Sequence, residues 1–173
     1  LAGREMLYDL KKTLPQVFKE PGDLKQVGFT PKQLIENYGF ESQQVREKEG
    51  YTVKEFRTDG LTVTDCKNAG FPPGEMKEAG FSLDELLAAG FSAKELKPAF
   101  SLDELKPAFS AKDLKEAGFS SAKDLKKAGF SGKDLKEAGF SIKDLKEAGC
   151  AKEAGFSIND LKEAGFSSAE DLK

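Results

Sequence analysis

Phenylalanine and leucine alternate along most of this chain, with charged and small residues between them. The phenylalanine position is held by Phe29, Phe40, Tyr51, Leu61, Phe71, Phe81, Phe91, Phe100, Phe109, Phe119, Phe130, Phe140, Cys150, Phe156 and Phe166. Successive markers lie 9 to 11 residues apart, with one interval of 6. Between them runs a second apolar position, held by Leu34, Val45, Phe56, Cys66, Met76, Leu86, Leu96, Leu105 and their successors. In one regular repeat, Phe109 to Phe119, Ala111, Leu114 and Ala117 fall at i, i+3 and i+6 and make one apolar stripe of a helix. Lys112, Asp113, Lys115 and Glu116 fall outside that stripe and are expected to stay wet.

The polar residues of the repeat mark where this helix starts and stops. Ser110 suits the N-cap, and Asp113 three residues later completes an acidic capping box. Phe109 and Leu114 then occupy the two positions of the hydrophobic staple. At the other end Gly118 suits the left-handed C′ position, with Leu114 and Phe119 as the contact pair of a Schellman motif. The pattern predicts a helix of about two turns, its single leucine touching the phenylalanine before it and the one after it. Ser82 with Glu85, Ser92 with Glu95, Ser131 with Asp134 and Ser141 with Asp144 repeat the cap. The predicted core is Phe81, Leu86, Phe91, Leu96, Phe109, Leu114, Phe119, Leu125, Phe130, Leu135, Phe140 and Leu145. Where a residue is inserted, as in FSSAKDL, it is a second serine, and Ser121 keeps its distance to Asp124.

A two-turn helix is unstable alone, because helix nucleation is costly, so neighbouring repeats must share surface. The expected fold is all-α: an α-solenoid of short helices, one per roughly ten-residue repeat. Residues 1–28, helix-prone around Arg4 to Lys12, read as an N-terminal cap, with Phe18 a candidate further marker. Residues 29–91 are degenerate repeats, 92–109 a proline-containing bend and 110–173 regular repeats, and the array is expected to continue past 173. Pro98 and Pro107 should end their helices early. A pentapeptide β-helix is the rival, since phenylalanine and leucine lie five apart. It requires a small residue two before each central one, and Lys112 stands two before Leu114.

Composition narrows the chemistry. No histidine is present, which removes Ser-His, Cys-His and His-metal sites. The two cysteines, Cys66 and Cys150, make neither a disulfide framework nor a zinc pattern. Cys66 occupies a leucine position and reads as a small buried hydrophobe. Cys150 occupies a phenylalanine position in KEAGCAKEAGFS, where four residues of a repeat are missing; this reads either as a deletion that kinks the array or as an imperfect assignment of residues in the stretch. With 27 basic and 30 acidic residues, and each consensus repeat neutral, no basic nucleic-acid face is expected. No apolar run reaches the length of a membrane span.

The phrase AGFSxxDLK resembles the tandem decapeptide repeats of proteins from microalgae and other protists, over most of the chain from about Phe29 onward. The resemblance carries over no catalytic residues. It implies a unicellular eukaryotic source and membership of a large organellar assembly, plastid or ciliary. The expected function is therefore a non-catalytic structural scaffold binding other proteins in a large complex, without catalytic, metal or cofactor site. A nucleic-acid-binding helical repeat is the alternative, and an accessory domain of an enzyme a more remote one. The expected location is soluble, within the cell or an organelle, with any targeting segment outside this chain. The degenerate repeats offer the candidate partner face, with Arg46, Lys54 and Arg57 on it.

Overall fold

The structure, a computed structural model, describes residues 22–166. Phe18, most of the N-terminal cap segment and the last capped serine, Ser168, lie outside the described residues. The described residues are helical throughout, without a strand, and the β-helix is thereby set aside. The chain forms two compact bodies, Leu1–Phe91 and Ser92–Lys173, so the degenerate repeats make up one body and the proline-containing and regular repeats the other.

The first body holds α1 (Asp23–Gln26), α2 (Gln33–Asn37), α3 (Ser42–Glu49), α4 (Val53–Thr58), α5 (Val63–Asn68), α6 (Pro73–Glu78) and α7 (Leu83–Ala88). The second holds α8 (Ala93–Leu96), α9 (Leu102–Leu105), α10 (Ala111–Glu116), α11 (Ala122–Lys127), α12 (Gly132–Glu137), α13 (Ile142–Glu147) and α14 (Ile158–Glu163). The closest helix packing is mostly between helices two repeats apart: α1 on α3 and α3 on α5, α4 on α6, α8 on α10 and α10 on α12, α11 on α13; α2 instead packs on its neighbour α3. Each body is thus a two-column coil with one turn for every two repeats.

Local chemistry sets the helix ends. In α10 the Ser110 side chain accepts from the Asp113 N–H while the Asp113 carboxylate accepts from the Ser110 N–H at 3.0 Å, a closed capping box. At the far end the Phe119 N–H donates to the Leu114 carbonyl and the Gly118 N–H to the Lys115 carbonyl, both at 2.9 Å. This is the Schellman pair, and it requires Gly118 at φ 97°, a conformation costly for any other residue. Leu86, Leu96, Leu114, Leu125, Leu135 and Leu145 are wholly buried. Phe81, Phe91, Phe130 and Phe140 are buried too, while Phe109 and Phe119 are half-buried.

Departures from the regular repeat have distinct local causes. In α8 and α9 the prolines stop the helix after four residues, and Phe100 N–H reaches the Leu96 carbonyl at 3.0 Å in a tighter closure that needs no glycine. The eleven-residue interval from Phe29 to Phe40 is absorbed as a π-helical turn in α2, where the Tyr38 N–H donates to the Gln33 carbonyl at 3.2 Å. The interval from Phe40 to Tyr51 is absorbed by a longer helix, the eight residues of α3. The extra serine at 120 simply lengthens the connector before α11.

Loss of the leucine should cost far more than loss of the cap. Leu114→Ala is expected to destabilise by about 2–5 kcal/mol and Ser110→Ala by about 1 kcal/mol, measured by urea unfolding. The box carboxyls also set an acid limit. Asp113, Asp134, Asp144 and Asp160 sit below the ordinary value of 3.8, because each accepts from its N-cap serine hydroxyl first and from that serine's N–H second. A folded-state value below the unfolded one stabilises at higher pH and is lost as pH falls. The urea midpoint should therefore hold from neutral pH down to about the unfolded value and decline steadily below it.

Candidate interaction surface

The residue that follows each buried leucine turns out to be the link between turns of the coil. Lys115 of α10 sends its ammonium to the end of α12, two repeats on, and donates to the Gly139 carbonyl at 2.6 Å and the Ala138 carbonyl at 3.2 Å. The same ammonium lies 4.3 Å from the centre of the Phe140 ring. It also lies close enough to Asp144, in the next capping box, to favour that carboxylate's charged form. One cation thus meets the negative end of a helix, the face of an aromatic ring and a carboxylate.

This arrangement repeats through both bodies. Lys25 reaches Gly50 at 3.0 Å and Tyr51, Arg46 reaches Gly70 at 2.5 Å and Phe71, and Lys67 reaches Gly90 at 2.8 Å and Phe91. Arg57 donates to the Ala79 carbonyl beneath Phe81. In the second body Lys97 reaches Gly118 at 2.6 Å, Lys136 reaches Gly155 at 2.9 Å and Lys146 reaches Gly165 at 3.0 Å, each over the following ring. Carboxylates close the first turns in the other direction: Glu49 accepts from the Leu24 N–H at 3.0 Å and Asp59 from the Lys32 N–H at 2.7 Å.

The expectation that Lys115 and its equivalents stay wet is therefore corrected: they are braces, half-buried at Lys25, Arg46, Lys67, Lys115 and Lys136 and exposed at Arg57, Lys97 and Lys146, while Lys112, one helical position before the box acid, is exposed and braces nothing two repeats on. A signal for this was present in the chain. The position after the leucine is Lys25, Arg46, Arg57, Lys67, Lys97, Lys106 and Lys115, basic in nearly every repeat. The position occupied by Lys112 is elsewhere Gln43, Thr64, Gly74, Asp84 or Asp103. At Ile35 the brace position is aliphatic and the marker two repeats on is Leu61, whereas at Leu87 it is aliphatic while the marker two repeats on is still an aromatic, Phe109.

The correction divides the three residues placed on the partner face. Arg46 and Arg57 are braces within the fold. Lys54 remains outward-facing, at the rim of a cavity of about 340 Å3 lined by Phe29, Pro31, Tyr51, Glu55 and Asp59. The Tyr51 hydroxyl donates to the Phe29 carbonyl, and its pKa is pushed up to about 12 by burial and then by the charges of Glu49, Glu55 and Asp59. Burial also raises both thiols, Cys66 to about 12, so neither is a ready nucleophile. The capping residues Ser82 with Glu85, Ser92 with Glu95, Ser131 with Asp134 and Ser141 with Asp144 all close their boxes. Their carboxylates cap helices.

Short capped helices, a two-column coil and a brace from each repeat to the second one after it define a helical repeat protein with a ten-residue unit. The family model described as Decapeptide repeat region matches residues 39–108 and again 108–173, and the chain belongs to that family. No curated protein and no solved structure matches it. No helix among the described residues is long and apolar enough to cross a membrane.

Removing a brace should be felt, and removing its exposed neighbour should not. Lys115→Ala is expected to destabilise by about 1 kcal/mol, whereas Lys112→Ala should stay within about 0.5 kcal/mol of the parent, both by urea unfolding.

Proposed function

We propose that this chain is a non-catalytic scaffold whose outward helix faces bind other proteins within a larger assembly. One observation carries the reading. The side chains that recur from repeat to repeat hold the fold, as caps, core or braces, while the second residue of α3, α4, α5 and α7 lies outside all three roles. That position is exposed in α3 to α5 and α7, and there it changes from Gln43 to Lys54, Thr64 and Asp84. A surface that varies while its framework does not is suited to recognising a partner of fixed shape. In the regular repeats the same position is Lys112, Lys123, Lys133 and Lys143, each next to a box aspartate, and such neutralised charge favours a protein partner over a polyanion.

The test uses the native assembly. Gln43→Glu, Lys54→Glu and Asp84→Lys, introduced together, are expected to leave the thermal melt in place and to weaken co-purification with the native partners several-fold. Unchanged co-purification would remove the first body from the binding face. Tight binding to single-stranded RNA that falls steeply with salt would replace the scaffold reading with nucleic-acid recognition.

A further inference from the structure

The segment between Gly149 and Gly155 has lost its helix, its capping box and its leucine, yet the braces count it as a full repeat. Lys136 reaches Gly155 and the Phe156 ring, and Lys146 reaches Gly165 and the Phe166 ring, each two markers on, although the residue separation falls from 24 at Lys115 to 19. The expected kink is thus absent from the bracing pattern. Residues 151–155 form one loose turn, closed by the Ala154 N–H on the Ala151 carbonyl at 3.3 Å and the Gly155 N–H on the Lys152 carbonyl at 3.4 Å. Cys150, Ala151 and Ala154 are buried by it.

That turn lies where the helix stacked on α12 should be, and α12 is the helix that opens on glycine. Ala111, Ala122 and Ile142 open its neighbours. Gly132 adopts no left-handed conformation, so its backbone does not call for glycine. Its surroundings do. A Cβ there would lie 2.4 Å from the Cys150 carbonyl oxygen and 3.0 Å from the Ala154 nitrogen, both backbone atoms. Glu153 adds the polar half of the contact. Its carboxylate pairs with Lys126, the brace that would otherwise lie over an aromatic ring at position 150, and accepts from the Gly132 N–H.

We infer that the turn of the six-residue repeat and Gly132 are a matched pair: the turn takes the place of a whole helix by settling its backbone onto α12, and this is open to it only because residue 132 has no side chain. Lys126 and Glu153 replace the missing cation–ring contact. The shortened repeat is then a built element that keeps the two-repeat spacing of the braces, and the array can shorten a repeat without losing step wherever the helix beneath it begins with glycine.

The test compares Gly132→Ala in two settings by thermal melting. In the native chain the substitution is expected to lower the melting temperature by roughly 5 °C and to speed amide exchange at residues 150–155. In a chain where Ala151 is replaced by Ser-Ile-Lys-Asp-Leu, which restores the full repeat, the same substitution should leave the melting temperature unchanged or raise it, as alanine normally does in a helix. If the native variant fails to fold while the restored variant folds, the pairing holds. Equal destabilisation in both chains, failure of both to fold, or no destabilisation in the native chain would overturn it.

Discussion

The fold depends on one contact made many times over: a basic side chain leaving the middle of one helix to meet the carbonyl end of the helix two repeats later, beneath an aromatic ring. A helix of six residues cannot persist alone. Capping and the Schellman closure define its ends but give it nothing to lie against. The brace supplies the next turn of the coil, since it ties the cation of repeat n to the C-terminal glycine and the ring of repeat n+2. At Lys115 its strength comes from partial burial, which removes water from around the ammonium while leaving it a helix end, a ring face and a carboxylate as partners. A bare solvated lysine would add little.

This dependence explains how the chain tolerates repeats of unequal length. An extra residue can be taken up inside a helix, as in α2 and α3, or in a connector, as before α11. Two prolines can end α8 and α9 early. The lengthened repeats keep their braces, Lys25 on Gly50, Arg46 on Gly70 and Lys106 over the Phe130 ring, while α8 and α9 close without a glycine. The shortened repeat at 150–155 pushes this furthest, where a loose turn replaces a helix and a carboxylate replaces a ring. What is held constant within each body is the pairing of a braced repeat with the second one after it, and the repeat length follows from local conditions.

Much of this was legible in the residues. Ser110, Asp113, Gly118 and Leu114 occupy the cap, box, C′ and core positions that their spacing implied, because these are local rules acting within one helix. The early ends of α8 and α9 follow from Pro98 and Pro107 in the same way. The number of repeats per turn was not legible, since it arises between helices some twenty residues apart. Nor was the role of Lys115, because a helical wheel alone places it on the wet side, and burial arrives only with the neighbouring turn. Arg46 and Arg57 were placed on a partner face because they lie in the degenerate repeats, where their reach to the second repeat on was equally hidden. The contrast between the basic position after leucine and the freely varying position before the acid held the missing information.

Within each body, coupling runs from a braced repeat to the second one after it. A double-mutant cycle between Lys115 and Phe140 measures that coupling directly, with Lys115 and Phe130 as the comparison. The account predicts an interaction energy of about 1 kcal/mol for the first pair and a value near zero for the second. No coupling between Lys115 and Phe140, or a larger one between Lys115 and Phe130, would contradict it.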